Sequence, residues 1–258
     1  MTERGLKGRV ALITGGGSGI GRATTLRLAE AGARVVVCGR RLEPLEQVAK
    51  ECAGEAVAIA CDVTSPESVD AAVAETVERF GSLTILVNGA GVAPSAKLEQ
   101  TSEELWRSVF ATNIDGVYRM TKTALPHMKA AGWGRIIQVA STAARTGFAY
   151  VSAYCASKHA VLGFTRAIAL EVARENITVN AVCPGYVDSP MTDASVKRIA
   201  EKTGRPEDEV RGTLEATSPQ RRLIQPEEVA ATIAMLCSEE ARGIHGQAIQ
   251  IDGGAVVA

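Results

Sequence analysis

The stretch Val10-Ala11-Leu12-Ile13-Thr14-Gly15-Gly16-Gly17-Ser18-Gly19-Ile20-Gly21 decides the fold. Its four apolar residues, 10–13, have the pattern of a short buried strand, and residues 22–31 continue it with helical periodicity. A glycine-rich turn thus opens directly onto a helix N-terminus, where backbone amides and the helix dipole favour an anion such as a pyrophosphate. The turn residues predicted to bind that anion are Gly15, Gly17, Ser18, Gly19, Ile20 and Gly21.

The spacing of these glycines is less diagnostic than their position. The turn reads Gly-x-x-x-Gly-x-Gly, and the strict dinucleotide pattern Gly-x-Gly-x-x-Gly fails in every register. A flexible surface turn is therefore the plain alternative. A strand before the turn and a helix after it favour the phosphate-binding interpretation.

Short apolar runs alternate with longer amphipathic stretches along the chain. The runs predict seven strands, and the segments between them are long enough for right-handed crossover helices. This alternation predicts an α/β fold, a doubly wound seven-stranded parallel sheet with helices on both faces. The predicted strands cover residues 10–13, 34–38, 56–61, 83–88, 135–140, 177–183 and 247–251, and the predicted helices cover 22–31, 42–52, 66–80, 102–131, 150–174 and 226–237.

The domain organisation is predicted to be simple. No linker or repeat divides the chain, so residues 1–258 are expected to form a single domain. The polar stretch 186–225 is interrupted by Pro190, Pro206 and Pro219. We expect it to be an irregular, mobile flap over the substrate rather than a second domain.

Composition excludes several classes of function. The formal net charge is −1 with acidic and basic residues mixed, so no nucleic-acid-binding face and no polybasic membrane tether are expected. No apolar run approaches the length of a membrane span. Six cysteines without a Cys-x-x-Cys pair, and no secretory leader, indicate reduced thiols in a cytoplasmic protein. Because the chain has no strongly charged face, a small-molecule partner is expected. Three scattered histidines lack ligand spacing, so no catalytic metal is expected.

The second predicted strand ends in Cys38-Gly39-Arg40-Arg41. An NAD-specific site would place an acidic residue here to accept hydrogen bonds from the adenosine ribose. No acidic residue is present; Gly39 leaves room for a 2′-phosphate on the ribose, and Arg40 or Arg41 can bind that phosphate with its guanidinium group. NADP(H) is therefore favoured, and NAD(H) is the alternative. Because the glycine turn carries no basic residue, two solvated arginines at a helix start are a second interpretation.

The other predicted strands also end in small or polar residues. Ligands of such sheets bind beyond the carboxyl ends of the strands, so these positions predict one extended cofactor site. Asp62 is placed to accept a hydrogen bond from an adenine amino group, although it could equally cap the following turn. The predicted positions are Asp62, Val63, Asn88, Ala90, Gly91, Ser141, Pro184, Gly185, Val187 and Ser189.

Tyr154 and Lys158 are four residues apart in a predicted helix, so their side chains share one face. An ammonium beside a phenol favours the phenolate, and we expect Lys158 to lower the pKa of Tyr154. Such a tyrosine would serve acid–base chemistry on an alcohol or ketone. The same spacing also arises by chance on amphipathic helices. The small and polar residues at the strand ends favour the catalytic interpretation over chance.

Together these motifs resemble the short-chain dehydrogenase/reductase family over essentially the whole chain. The resemblance implies a Rossmann-type fold, an NAD(P)(H)-dependent oxidoreductase, and cofactor contacts from the catalytic Tyr154 and Lys158. Gly89 departs from the family pattern, which commonly has asparagine there; we expect a looser turn and unchanged hydride chemistry. The implied catalytic tetrad is Asn113, Ser141, Tyr154 and Lys158. A satisfied helix kink at Asn113, and a turn or N-cap role for Ser141, are the alternatives.

Within that family, the chain resembles 3-oxoacyl thioester reductases and 3-hydroxyacyl-CoA dehydrogenases. We expect NADPH-dependent reduction of a 3-oxoacyl thioester or similar ketone. An NAD-dependent hydroxyacyl or secondary-alcohol dehydrogenase, and a non-catalytic nucleotide-sensing protein, are the alternatives. Residues 186–225 hold seven basic and seven acidic side chains, so no basic rim for a carrier is expected. The predicted substrate contacts are Ser141, Thr142, Phe148, Tyr154, Tyr186 and Met191.

The resemblance also bears on assembly. It implies a homodimer or homotetramer built from the helices at 102–131 and 150–174. Small residues from 149 to 163 would allow such helices to approach each other closely.

Overall fold

The computed structural model describes residues 5–257; residues 1–4 and 258, at the ends of the predicted domain, lie outside the described part. Its sheet has seven parallel strands in the order β3-β2-β1-β4-β5-β6-β7, which confirms the predicted doubly wound α/β fold. The strands are β1 Val10–Thr14, β2 Arg34–Gly39, β3 Ala56–Ala60, β4 Ile85–Asn88, β5 Gly134–Val139, β6 Ile177–Pro184 and β7 Ala248–Ile251.

Nine α-helices accompany the strands over residues 5–257. They are α1 Gly19–Glu30, α2 Leu42–Glu51, α3 Pro66–Phe80, α4 Glu103–Phe110, α5 Gly116–Ala130, α6 Ser152–Val172, α7 Pro190–Thr203, α8 Glu207–Glu215 and α9 Pro226–Leu236. A π-helical turn, Ala111–Asp115, joins α4 to α5 without a break in the helical rod. None of the described helices is long and apolar enough to cross a bilayer.

Alternate residues of β1 bury their side chains on opposite faces of the sheet. Leu12 belongs to an apolar cluster formed with α3 and α5. Ile13, its neighbour, belongs to a second cluster formed with α1 and α9. Because helices cover both faces, the central strands are apolar throughout rather than alternating with polar residues.

The strand order reverses at β1, which pairs with β2 on one side and β4 on the other. The helices that follow β1 and β4 pack on opposite faces of the sheet. Such a reversal leaves a crevice beyond the carboxyl ends of the two strands. Thr14 and Asn88 are paired in the register there, so the turns that follow them form the floor of this crevice.

Most of the stretch 186–225 is helical, in α7 and α8, so the prediction of an irregular segment is wrong, while its role as a flap over the substrate stays a prediction. Pro190 is the first residue of α7 and Pro206 immediately precedes α8, while Pro219 lies in the loop after α8. Because proline in the first turn removes no helical hydrogen bond, Pro190 and Pro206 mark the starts of helices instead of breaking them. The two helices share an apolar cluster made of Val196, Val210, Leu214 and Leu223.

Gly21→Ala is expected to destabilise the protein by about 1–3 kcal/mol, the usual cost of overpacking. A Cβ at position 21 would stand 2.1 Å from the carbonyl oxygen of Gly15, so the turn would have to move. The control is Gly212→Ala in α8, whose Cβ would meet nothing within 4 Å. That exposed helical site should gain about 0.5–1 kcal/mol. Urea unfolding measures both changes, and an unaltered midpoint for the Gly21 variant would contradict the tight turn.

Candidate functional site

A cleft of about 930 Å³ follows the carboxyl edge of the sheet, bordered by the turn after β1, the ends of β4, β5 and β6, and helices α6 and α7. This volume is typical of small-molecule sites. Most of the residues predicted from the sequence to bind cofactor or substrate line it. They are Gly15, Ser18, Gly19, Ile20, Gly21, Ala90, Gly91, Ser141, Thr142, Phe148, Tyr154, Lys158, Pro184, Gly185, Tyr186, Val187, Ser189 and Met191.

The glycine-rich turn fits a pyrophosphate. Gly15 and Gly19 adopt positive φ angles, +69° and +50°, which glycine tolerates without strain. Ser18 precedes α1, yet its hydroxyl makes no hydrogen bond to the helix. The first amides of α1 therefore have no capping side chain, and they are free to donate to phosphate oxygens of NAD(P).

The turn after β4 is tied to β1 through a residue that the sequence did not single out. The Oγ1 of Thr14 accepts hydrogen bonds from the amides of Gly89, at 3.1 Å, and Ala90, at 3.2 Å. A Cβ at position 89 would stand 2.7 Å from the carbonyl oxygen of Thr14. A side chain at position 89 would thus require the turn or β1 to shift, and the expectation that glycine loosens the turn stays a prediction.

Asn88 lies beside the cleft but does not line it. Its side chain is 3% exposed and donates from Nδ2 to Oε1 of Gln138, at 2.8 Å, and to Oγ1 of Thr121, at 3.2 Å. These bonds link β4 to β5 and α5. The structure therefore gives the Asn88 side chain a role in holding the sheet, and the predicted contact of a cofactor with the backbone of residues 88–91 stays a prediction.

The residues predicted at the adenosine end lie at the ends of β2 and β3, outside the lining of the cleft. Arg40 and Arg41 are exposed, whereas Val63 is buried against Gly116. Asp62 accepts with Oδ1 from the amide and the hydroxyl of Thr64, which lowers the pKa of its carboxyl group. Asp62 thus caps the turn that follows β3, as the alternative interpretation predicted.

Gly17, also predicted as a ligand, faces α2.

Asn113 occupies the π-helical turn between α4 and α5 and is fully buried. Its Oδ1 accepts from the amide of Val92 at 2.9 Å, and its Nδ2 donates to the carbonyl of Val92 at 2.9 Å and to Oγ of Ser157 at 3.1 Å. Such π turns often mark functional positions in helices. The side chain therefore anchors the loop after β4 to α6, next to Lys158.

Tyr154 and Ser141 meet in the wall of the cleft. Ser141 ends the loop after β5, and its Oγ accepts from the amide of Ala143 at 3.1 Å. Burial raises the pKa of Tyr154 to about 12, and the hydrogen bond with Ser141 opposes this rise. In the protein alone, burial outweighs any lowering of the Tyr154 pKa by Lys158, and the lowering expected beside bound nicotinamide stays a prediction. Tyr154 is a protonated phenol at neutral pH.

Lys158 is 5% exposed and donates from Nζ to the carbonyl oxygen of Val139 at 2.7 Å. Its Nζ lies 5.7 Å from the ring centre of Tyr154. Burial lowers the pKa of the Lys158 ammonium to about 8. A Cβ at Gly91 would come within 3.7 Å of Nζ, so the small residues after β4 leave this amine accessible from the cleft.

The comparisons with known proteins agree with this geometry. Residues 9–200 match the family model for short chain dehydrogenase. The chain belongs to the short-chain dehydrogenase family. It is therefore an NAD(P)(H)-dependent oxidoreductase that interconverts a ketone and a secondary alcohol, as the sequence predicted.

Individual relatives of this short-chain dehydrogenase cover nearly its whole length. A 3-oxoacyl-[acyl-carrier-protein] reductase of Thermotoga maritima is 37% identical, covering 98% of this chain and 99% of its own. A D-beta-hydroxybutyrate dehydrogenase of Cupriavidus necator is 35% identical, covering 97% and 99%. A crystal structure of an actinorhodin polyketide ketoreductase variant with NADPH has a TM-score of 0.93 at 40% identity, covering 96% and 97%.

The sequence reasoning missed a group of cationic side chains that line the cleft. Lys97, Arg198 and Lys202 all contribute to its wall. Residues 186–225 hold equal numbers of acidic and basic residues, so their net charge did not reveal this group. The signal that could have found them is the four-residue spacing of Arg198 and Lys202, which places both on one face of α7.

Lys158→Met is expected to gain stability at neutral pH while losing turnover. The amine has a pKa of about 8, below its usual 10.5, so the unfolded chain binds more protons between these values. Wild-type stability should therefore rise with pH across this window. The stability gained by the substitution should be about 2 kcal/mol larger at pH 7 than at pH 9.5.

Urea unfolding at the two pH values measures this difference. Lys197→Met, on the exposed side of α7, is the matched control and should show no such pH dependence. An equal effect of Lys158→Met at both values would mean that the amine is not held in a desolvated site.

Proposed function

We propose that this protein is an NADPH-dependent reductase of a 3-oxoacyl thioester or a similar ketone. One observation carries the proposal: a phenol, a hydroxyl and an ammonium, from Tyr154, Ser141 and Lys158, share one cleft with the glycine-rich turn of α1. The turn supplies amides for a pyrophosphate, and the three side chains supply proton chemistry on a carbon–oxygen bond.

Tyr154 and Ser141 have different roles in the reduction of a ketone. Bound NADPH supplies the hydride that no protein group can provide. Tyr154 donates its proton to the ketone oxygen, and the hydroxyl of Ser141 donates a hydrogen bond to the same oxygen. Because the pKa of Tyr154 is about 12, its phenol carries the proton that reduction needs. Oxidation of an alcohol, the reverse reaction, would use the phenolate as the base.

Lys158 and Asn113 support this chemistry. The amine of Lys158 would hold the nicotinamide ribose through hydrogen bonds, while its charge would stabilise phenolate left after proton donation. Asn113 positions the loop after β4 beside that amine through its bonds to Val92. The expectation that Asn113 also anchors a water that relays protons to Lys158 stays a prediction.

The preference for NADPH is supported by the end of β2. Arg40 and Arg41 are exposed where the strand ends, and no acidic residue stands between Cys38 and Leu42. A guanidinium group can bind the 2′-phosphate that distinguishes NADPH from NADH. The ketoreductase of known structure described above was crystallised with NADPH.

Arg40→Gln combined with Arg41→Gln should raise the KM for NADPH by roughly 10- to 100-fold, since the loss of one charge-assisted bond to the 2′-phosphate costs about 1.5–3 kcal/mol. The KM for NADH should change little. Arg27→Gln, on the exposed side of α1, is the control. Initial rates with both cofactors measure the ratio. Tighter binding of NADH than NADPH by the wild type would refute the assignment.

The substrate side of the cleft suits an acyl ketone. Phe148, Tyr150, Tyr186 and Met191 give this part an apolar wall beside Tyr154. The relative from Thermotoga maritima acts as a 3-oxoacyl-[acyl-carrier-protein] reductase. A 3-oxoacyl thioester would place its chain along the apolar wall, with the ketone at Tyr154 and Ser141.

Tyr154→Phe should lower kcat for ketone reduction by at least about 10²-fold, because it removes the proton donor. Binding of NADPH, followed by fluorescence, should remain. Tyr118→Phe, an exposed position on α5, is the control and should leave kcat unchanged. Undiminished turnover by the Tyr154 variant would indicate another mechanism.

We also propose a homodimer or homotetramer in the cytoplasm. Trp106 of α4, Tyr118 of α5 and Leu170 of α6 are large apolar side chains with exposures of 37%, 45% and 82%. A second copy of the chain would cover such residues. All six cysteines are free thiols, which fits a reducing compartment.

A further inference from the structure

The charges that line the cleft all have one sign. Lys97, Lys158, Arg198 and Lys202 face it, and among residues 5–257 no aspartate or glutamate contributes to its lining. Lys158 belongs to the catalytic group. The other three form what we call the cationic mouth, defined as Lys97, Arg198 and Lys202.

The acidic residues of 186–225 do not line the cleft, and three of them contact one arginine of α8. Arg211 of α8 binds Asp188 at 2.5 Å, Asp193 at 3.0 Å and Glu215 at 3.7 Å. None of these three carboxylates lines the cleft. No carboxylate in the described part of the chain pairs with Arg198 or Lys202 within 4.0 Å, and Lys97 has only a 4.0 Å contact with Glu99.

The mouth lies on the substrate side of the cleft. The Nη1 of Arg198 reaches to within 3.5 Å of the carbonyl oxygen of Ala93, so α7 approaches the loop that carries Lys97. The same loop bonds to the segment before α6, from the amide of Ala96 to the carbonyl of Tyr150, at 2.8 Å. Arg198 and the loop of Lys97 thus lie near the part of the cleft that Tyr150 lines, and Lys202 is one helical turn from Arg198.

Helix α7 separates the mouth from the cofactor phosphates. Ser189, the residue before α7, adjoins the glycine-rich turn at the start of α1, since a Cβ at Gly19 would stand 3.2 Å from the Cβ of Ser189. From Met191 to Lys202 the helix rises by about 16 Å, at about 1.5 Å per residue. An anion at the mouth is thus a separate group from the pyrophosphate at the glycine turn. Lys202 also suits the C-terminal dipole of α7, but this does not account for Arg198 or Lys97.

We propose that Lys97, Arg198 and Lys202 bind the phosphate of a pantetheine arm that presents the 3-oxoacyl thioester to Tyr154. This inference rests on the proposed function and names the form in which the substrate arrives. Coenzyme A and a carrier protein both bear that phosphate on the arm. Lysine and arginine side chains are the usual ligands of such a phosphate, and a cleft of one sign concentrates it.

The test compares two thioesters that differ by one phosphate, acetoacetyl-4′-phosphopantetheine and acetoacetyl-pantetheine. In the variant Arg198→Gln with Lys202→Gln, the KM for the phosphorylated thioester should rise by ~10-fold, as expected for two partly exposed charged contacts. The KM for the unphosphorylated thioester, the KM for NADPH and kcat should stay within about twofold. Lys197→Gln, on the exposed side of α7, is the matched control and should behave as wild type.

A binding measurement separates this inference from the proposed function. Calorimetry of the full chain with NADPH should show 4′-phosphopantetheine binding ~10-fold tighter than pantetheine, a difference that the double variant removes. Equal binding of the two arms, or equal losses for both thioesters, would overturn the cationic mouth even if ketones are reduced. Tight phosphate-dependent binding without thioester turnover would instead refute the proposed function alone.

Two further assays distinguish the sources of the arm. Acetoacetyl-coenzyme A and an acetoacetylated carrier protein are compared as substrates of the wild type and the double variant. A larger loss with one of them identifies the carrier that the mouth favours. No loss with either would contradict the proposal.

Discussion

The hydrogen bond from the Lys158 ammonium to the carbonyl of Val139 is the interaction on which the rest of the site depends. It fixes α6 against the end of β5, and thereby sets Tyr154 beside Ser141. The buried amine is held there against the cost of desolvation, which is why its pKa falls to about 8. Such a cost is commonly tolerated at functional sites, where chemistry and stability conflict.

Much of the fold was predictable because its signals are local. Runs such as Val35 to Val37 can only be buried strands between two layers of helices, and the strand–turn–helix at Gly15 to Gly21 has few alternatives. The prediction failed for the stretch that contains Pro190 and Pro206, which is mostly helical. Proline marks both helix starts and helix breaks, and the choice between them depends on packing of α7 against α8, which no local pattern records.

The chemistry of the site was predictable, but its electrostatics were not. Spacing alone placed Tyr154 and Lys158 on one face of a helix, as the structure shows. The direction of the pKa shift of Tyr154 depends on burial by distant segments, and the sequence reasoning considered only the neighbouring charge. The cationic mouth was missed for a similar reason, because folding separates charges that are mixed along the chain.

Burial keeps Tyr154 protonated in a cleft that also holds the desolvated amine of Lys158. NMR of the protein with tyrosine labelled at the ζ carbon, titrated with pH and assigned through Tyr154→Phe, tests this most directly. We expect the Tyr154 resonance to show no titration up to pH 10, because the pKa of its phenol is about 12. A Tyr154 that ionises below pH 9 in the protein alone would contradict it.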